Sequence, residues 1–280
     1  MKALYLGTAA AEGIPAVFCQ CDICREAECR GGKDLRLRSS ILINDRLLVD
    51  VSPDLFAAKL RWHLDLSNVR NIVITHAHMD HFNREELSMF ASGFAHIQNR
   101  EKIHLWGSEY TGKVWEEYIS AALMKEPGMP EFFEFHVLNP FDSVTLDGVT
   151  VTALCAVHSC PQSLIFAFEQ DGRRLLYAND TGLFPEKTWA WLKSRSGVPF
   201  DAVSLDSTMG LPASSYNGHM TLEQNGQVRQ RMIAEGSATE KTCFLCHHFS
   251  HNGKILHKEL EELMGPKGFI IAHDGLLLEV

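Results

Sequence analysis

His76, His78, Asp80 and His81 place three imidazoles and one carboxylate within six positions, in the run Thr75-His76-Ala77-His78-Met79-Asp80-His81. The run follows the apolar stretch 71–74, so a strand ends and its loop carries the donors. In extended backbone His76 and His78 point to one side, and a turn into helix redirects Asp80 and His81 toward a neighbouring point. That geometry suits two adjacent divalent cations, one taking the first two imidazoles and the other the carboxylate and the third. Fourteen histidines in 280 residues make an isolated pair ordinary, but not four donors at this spacing after a strand. A second constellation, Cys19-Gln20-Cys21-Asp22-Ile23-Cys24, offers three soft thiolates and lacks the fourth donor that a closed structural zinc site wants. Cys29 is one candidate for it. Eight cysteines in so long a chain are no disulfide framework, and their clustering points to a reducing compartment, hence a cytoplasmic protein.

The elements that must hold these donors read as strands early and late with helices between them, an α/β or α+β class. Strands are expected at 2–7, 40–44, 46–50, 71–75, 149–157, 163–169, 173–178, 202–206, 242–248 and 269–272. One helix is expected after Asn83 as N-cap, with Glu86 three residues on and Leu87, Phe90, Ala91 and Phe94 on one stripe. Another follows Thr221 with Gln224 in the same capping role, and further helices are expected near 114–125, 186–194 and 255–264. Loops are marked at 127–130 and 210–218. Hydrophobic residues at 45% and charged residues at 22% exclude a disordered chain, and no apolar run nears the roughly 20 residues that cross a bilayer. A net charge of −9 removes bulk attraction to nucleic acid or anionic lipid, so an anionic substrate needs a local positive source.

His158, Asp180 and His248 each follow an apolar run and so are further strand-end donors. With the H-x-H-x-D-H hallmark, the chain resembles the metallo-β-lactamase superfamily and, over nearly its whole length, its PhnP-like branch of metal-dependent phosphodiesterases. The matching stretches are Gly7 with Gly13-Ile14-Pro15 and the cysteine cluster, Asp50, the histidine motif, Val157-His158-Ser159, Asn179-Asp180-Thr181-Gly182, Gly218-His219 and His248-Phe249-Ser250-His251. The resemblance implies a four-layer αββα sandwich in one domain over 1–280, with a zinc-binding cysteine loop at about 13–30. It implies that His76, His78 and His158 hold one metal, that Asp80, His81 and His248 hold a second, and that Asp180 bridges them. A water shared between the cations is then the nucleophile. His219 would contact the phosphate and protonate the leaving alkoxide. Asp50 would orient a ligand histidine. His251 is the fourth donor to Cys19, Cys21 and Cys24 by resemblance, with Cys29 its competitor.

The implied cofactors are two divalent catalytic ions, manganese or zinc with iron also accepted, and one structural zinc. The implied reaction is hydrolysis of a small phosphodiester, such as a cyclic ribose phosphate or a 2′,3′-cyclic nucleotide. No membrane partner and no nucleic acid beyond small nucleotides are expected, and a homodimer is left open. A ribonuclease of the tRNase Z type is disfavoured by the acidic charge and the lack of a long basic insertion. A PqqB-like oxidative role is disfavoured by the complete donor motif, and a metal-dependent binding protein without catalysis is the remaining alternative. Cys243 and Cys246, three apart on a strand, should face opposite sides, and His247 should point away from His248. Cys160 reads as a packing residue, and His273 is a reserve candidate for the second metal or the substrate.

Overall fold

Along Ser40–Ile43 alternate residues enter different cores: Ile41 and Ile43 face one cluster and Leu42 another. A strand apolar on both faces must be covered on both sides, and this repeats in the computed structural model, which describes all residues except 92, 99, 123–128 and 212–215. The strands are Lys2–Gly7 (β1), Ser40–Ile43 (β2), Leu47–Val49 (β3), Asn71–Val73 (β4), Ile103–Gly107 (β5), Phe133–Val137 (β6) and Ser143–Leu146 (β7). They continue with Val149–Cys155 (β8), Leu164–Gln170 (β9), Arg173–Ala178 (β10), Ala202–Asp206 (β11), Cys243–His247 (β12), Phe269–Ile271 (β13) and Leu277–Glu279 (β14). Among the described residues they form two seven-stranded sheets, ordered β14-β1-β2-β3-β4-β5-β6 and β13-β12-β11-β10-β9-β8-β7. Strands β3 to β6 run parallel, as do β10 to β13.

Three cores make four layers. Tyr5, Ile43, Val49, Val151, Phe166, Phe168 and Leu245 fill the space between the sheets. The outer face of the first sheet packs Leu42, Leu48 and Leu105 against Ala58 of the helix Leu55–Trp62 and Trp115 of Glu109–Ala122. The outer face of the second packs Val203 and Phe244 against Trp189, Val228, Met232 and Leu260 of the helices Glu186–Ser194, Leu222–Ala234 and His257–Met264. This is the expected αββα sandwich. Among the described residues no helix is long and apolar enough to cross a membrane.

Several elements depart from the sequence reading. The helix after Asn83 is only Arg84–Ser88; the Asn83 side chain caps it by accepting from the backbone N–H groups of Glu85 and Glu86. Its stripe does not continue as helix, and Phe94 is left exposed. By contrast Thr221 and Gln224 form the full reciprocal capping box. Strands β5, β6, β7 and β14 and the helices Asp22–Arg30 and Leu55–Trp62 were not anticipated. Of the two expected loops, residues 127–128 and 212–215 lie outside the described residues, as does 123–125 of the expected helix 114–125.

Candidate metal centre

Every donor of the H-x-H-x-D-H motif sits beyond the C-terminal end of β4, and the parallel run of β3 to β5 beside β10 to β12 aligns further strand ends with it. Asp50 follows β3, His158 lies beyond β8, Asp180 follows β10, and His248 follows β12. Asp50, Asp180 and His248 adopt left-handed backbone, with φ of 63°, 49° and 60°. For non-glycine residues that conformation costs about 1–2 kcal/mol each, and here the flanking strands impose it where the chain must turn its side chain into the site.

The donors gather in two adjoining groups. His76 Nε2 lies 3.0 Å from His78 Nδ1, and His158 Nε2 lies 3.2 Å from the same atom. Asp80, His81, Asp180 and His248 form the second group, wholly buried. Asp180 Oδ2 stands 2.5 Å from His81 Nε2, 3.2 Å from His248 Nε2 and 3.8 Å from His76 Nε2, so it touches members of both. His81 Nε2, His248 Nε2 and Asp180 Oδ2 are buried and find no hydrogen-bond partner among the described residues. A tetrahedral ion with bonds of about 2.1 Å needs donors about 3.4 Å apart, which these separations bracket. Buried polar atoms left without hydrogen bonds and converging at that spacing fit divalent cations.

Hydrogen bonds behind the imidazoles set their tautomers. His81 Nδ1 donates to Asp50 Oδ2 at 2.7 Å. The Thr75 hydroxyl donates to Asp50, which only accepts when ionised, and therefore accepts from His76 Nδ1 at 3.0 Å. The Thr208 hydroxyl donates to the His248 carbonyl and accepts from His248 Nδ1 at 2.7 Å. His158 Nδ1 donates to the Gly218 carbonyl at 3.2 Å. With Nδ1 engaged as donor, Nε2 is the nitrogen each ring turns toward a cation. Negative charge gathers around these rings: burial would raise Asp180, but His248 and His81 hold it well below the usual carboxylate range. Burial would lower His81, yet Asp180, Asp80 and Asp50 lift it well above the usual imidazole range. Three carboxylates around one ring are an excess of negative charge that calls for cations.

His219 stands beside this centre, with Nδ1 2.8 Å from Asp206 Oδ2 and 3.4 Å from Asp180 Oδ1. Burial works against its protonation, but the Asp206 carboxylate outweighs it and lifts the ring to about 9. Asp206 and Thr208 escaped the sequence reading. Asp206 ends the apolar run of β11 much as Asp50 follows β3, which was the available signal.

At the N-terminus Cys19, Cys21, Cys24 and His251 come together. His251 Nδ1 lies 3.3 Å from Cys21 Sγ and 3.5 Å from Cys19 Sγ, whereas Cys29 is exposed and outside the group. Backbone bonds reinforce the junction: Ala10 N–H donates to the Phe249 carbonyl and Phe249 N–H to that of Thr8. His273 is not drawn in; its Nδ1 pairs with the Asp274 carbonyl. Cys246 joins the outer core while Cys243 packs against the inner one, the opposite-face arrangement expected. His247 is buried between Tyr5 and Tyr177, away from the centre, and Cys160 is buried.

Residues 45–247 match the family model for the beta-lactamase superfamily domain. Among solved structures, a diphosphatase from the PhnP family is 22% identical with a TM-score of 0.74, covering 100% of this chain and 98% of the other. Zinc-bound PqqB from Methylobacterium extorquens is 19% identical with a TM-score of 0.75 over both chains in full, and the short form of human tRNase Z is 16% identical with a TM-score of 0.66, covering 100% and 99%. An octanoyltransferase from Porphyromonas gingivalis is 29% identical over 118 residues, and the match takes in 37% of this chain and 23% of that relative's length. Fold, donor geometry and family model agree, and the chain belongs to the beta-lactamase superfamily.

Proposed function

We propose that the protein hydrolyses small phosphodiesters at a pair of divalent cations. The observation that carries this reading is the position of Asp180, one carboxylate oxygen shared among His76, His81 and His248. His76, His78 and His158 would hold one cation, and Asp80, His81 and His248 the other, with Asp180 common to both. Cations bound there supply Lewis-acid polarisation of the phosphoryl oxygens and acidify a solvent molecule. They also supply the positive potential that a chain of net charge −9 otherwise lacks for an anionic substrate.

The chain's own part is positioning and proton transfer. Asp50, Thr75, Thr208 and the Gly218 carbonyl hold four imidazoles with Nε2 free. Asp206 holds His219 by Nδ1 and keeps the ring protonated, so its other nitrogen is free to donate to a phosphoryl oxygen and then to the leaving alkoxide. Cys19, Cys21, Cys24 and His251 would bind a structural zinc, joining the N-terminal loop to the segment just after His248.

The likeness to a PhnP-family diphosphatase supports a phosphate ester or anhydride as substrate. The full set of six donors plus Asp180 is what supports two-metal hydrolysis over a PqqB-like role. The test is turnover of bis-p-nitrophenyl phosphate and 2′,3′-cyclic nucleotides by protein loaded with manganese or zinc. His219→Ala should lose about 100-fold or more in kcat. Protein holding both cations yet cleaving no ester would refute the proposal.

A further inference from the structure

A third group of donors lies on the first sheet, apart from both clusters described above. Strands β5 and β6 pair in parallel with His104 opposite Glu134 and Trp106 opposite His136. Ile103, Leu105 and Phe133 point into the outer core, so the alternate residues His104, Glu134 and His136 share the other face. β6 ends its sheet, which leaves this face open at the margin. His104 Nδ1 stands 2.9 Å from His136 Nε2, and Glu134 carboxylate oxygens lie 3.9 Å from each of those two nitrogens.

We propose that His104, Glu134 and His136 form a further divalent-cation site, with zinc as the ion of best fit and solvent completing its coordination.

Three arguments carry it. First, the three separations bracket the about 3.4 Å edge of a tetrahedral ion with bonds of about 2.1 Å, and two histidines with one carboxylate are a donor set that zinc takes. Second, the approach of two imidazole nitrogens repeats what the main centre shows, where His76, His78 and His158 bring theirs to 3.0 and 3.2 Å. Third, the site is built on strands rather than on a loop. The Trp106 ring stacks on His136 at 4.1 Å and 17°, and Trp106 Nε1 donates to Asn71 Oδ1, whose amide in turn donates to Asp147. Donors fixed by pairing and stacking need little reordering to bind. An ion here would tie the edge strand to its neighbour, independently of hydrolysis.

The test is a zinc titration by calorimetry of protein already saturated at the catalytic pair and the cysteine site. Wild type should take up one further zinc. His136→Ala and Glu134→Gln should each weaken that last step about tenfold or more while leaving phosphodiester turnover unchanged. Crystals soaked in zinc should show an anomalous peak between the two imidazoles. If wild type takes up no further zinc, or the variants bind it equally, the pair is only an imidazole–imidazole hydrogen bond and the site is refuted.

Discussion

Asp206 and His219 are joined by a 2.8 Å hydrogen bond from Nδ1 to Oδ2, while the second oxygen of Asp206 accepts the backbone N–H groups of Thr208 and Met220. The carboxylate is wholly buried and pinned by main chain on two sides, so it can fix the ring without moving itself. Asp206→Asn should lower kcat about 10–100-fold with metal content unchanged, measured by steady-state kinetics beside metal analysis. Equal kcat would remove Asp206 from the proton-transfer path.

Asp50 acts on the other side of the centre. It accepts from His81 Nδ1 and from both the backbone and the hydroxyl of Thr75, and so sets the tautomers of two ligand histidines. Asp50→Asn is expected to weaken metal affinity about 10–100-fold. A competition titration against a chromogenic chelator reads this directly, and unchanged affinity would show that ring orientation is set elsewhere.

The cysteine cluster tests separately from catalysis. Cys21→Ser removes a thiolate lying 3.3 Å from His251 Nδ1, and the purified variant should carry one metal equivalent fewer than wild type. Limited proteolysis should then cut within 13–30 faster than in wild type. Equal metal content and equal cleavage would reduce the cluster to packed thiols.

Acid sensitivity should come in part from His257. The guanidinium of Arg36 can only donate, so His257 Nδ1 accepts from it at 2.9 Å and the ring is neutral, its proton on Nε2 facing Glu261. Burial and the nearby Arg36 charge push this imidazole down to about 4. The unfolded chain binds the proton more readily, so stability is full above about 6.5 and falls as pH drops toward about 4, by up to about 3 kcal/mol. Urea unfolding at pH 7 and pH 5 should show a smaller difference in His257→Gln than in wild type. The same difference in both proteins would place the acid-sensitive group elsewhere.

Much of the site was legible because its donors are local in sequence or end apolar runs. The motif from His76 to His81 announces itself by spacing, and β1, β10 and β11 match the expected ranges because their apolar runs are bounded by turns or charges. Other features were hidden for physical reasons. Asp206 looks like any strand-end acid until β11 and the His219 loop meet. The helix Leu55–Trp62 has no side-chain hydrogen bond from its N-cap Asp54, and the exposed Phe56 and Leu60 blur its apolar stripe. β5 carries the polar His104 among its five residues, and β14 has only three residues, which pair with β1 from the far end of the chain. The stripe from Leu87 to Phe94 misled because an apolar pattern alone does not hold a helix beyond Ser88.

The paired-cation claim is tested most directly by anomalous diffraction from crystals grown with manganese. Two peaks about 3.5–4 Å apart are predicted, one among His76, His78 and His158 and one among Asp80, His81 and His248, with Asp180 reaching both. A single peak, or none with the same side chains ordered, would contradict the account.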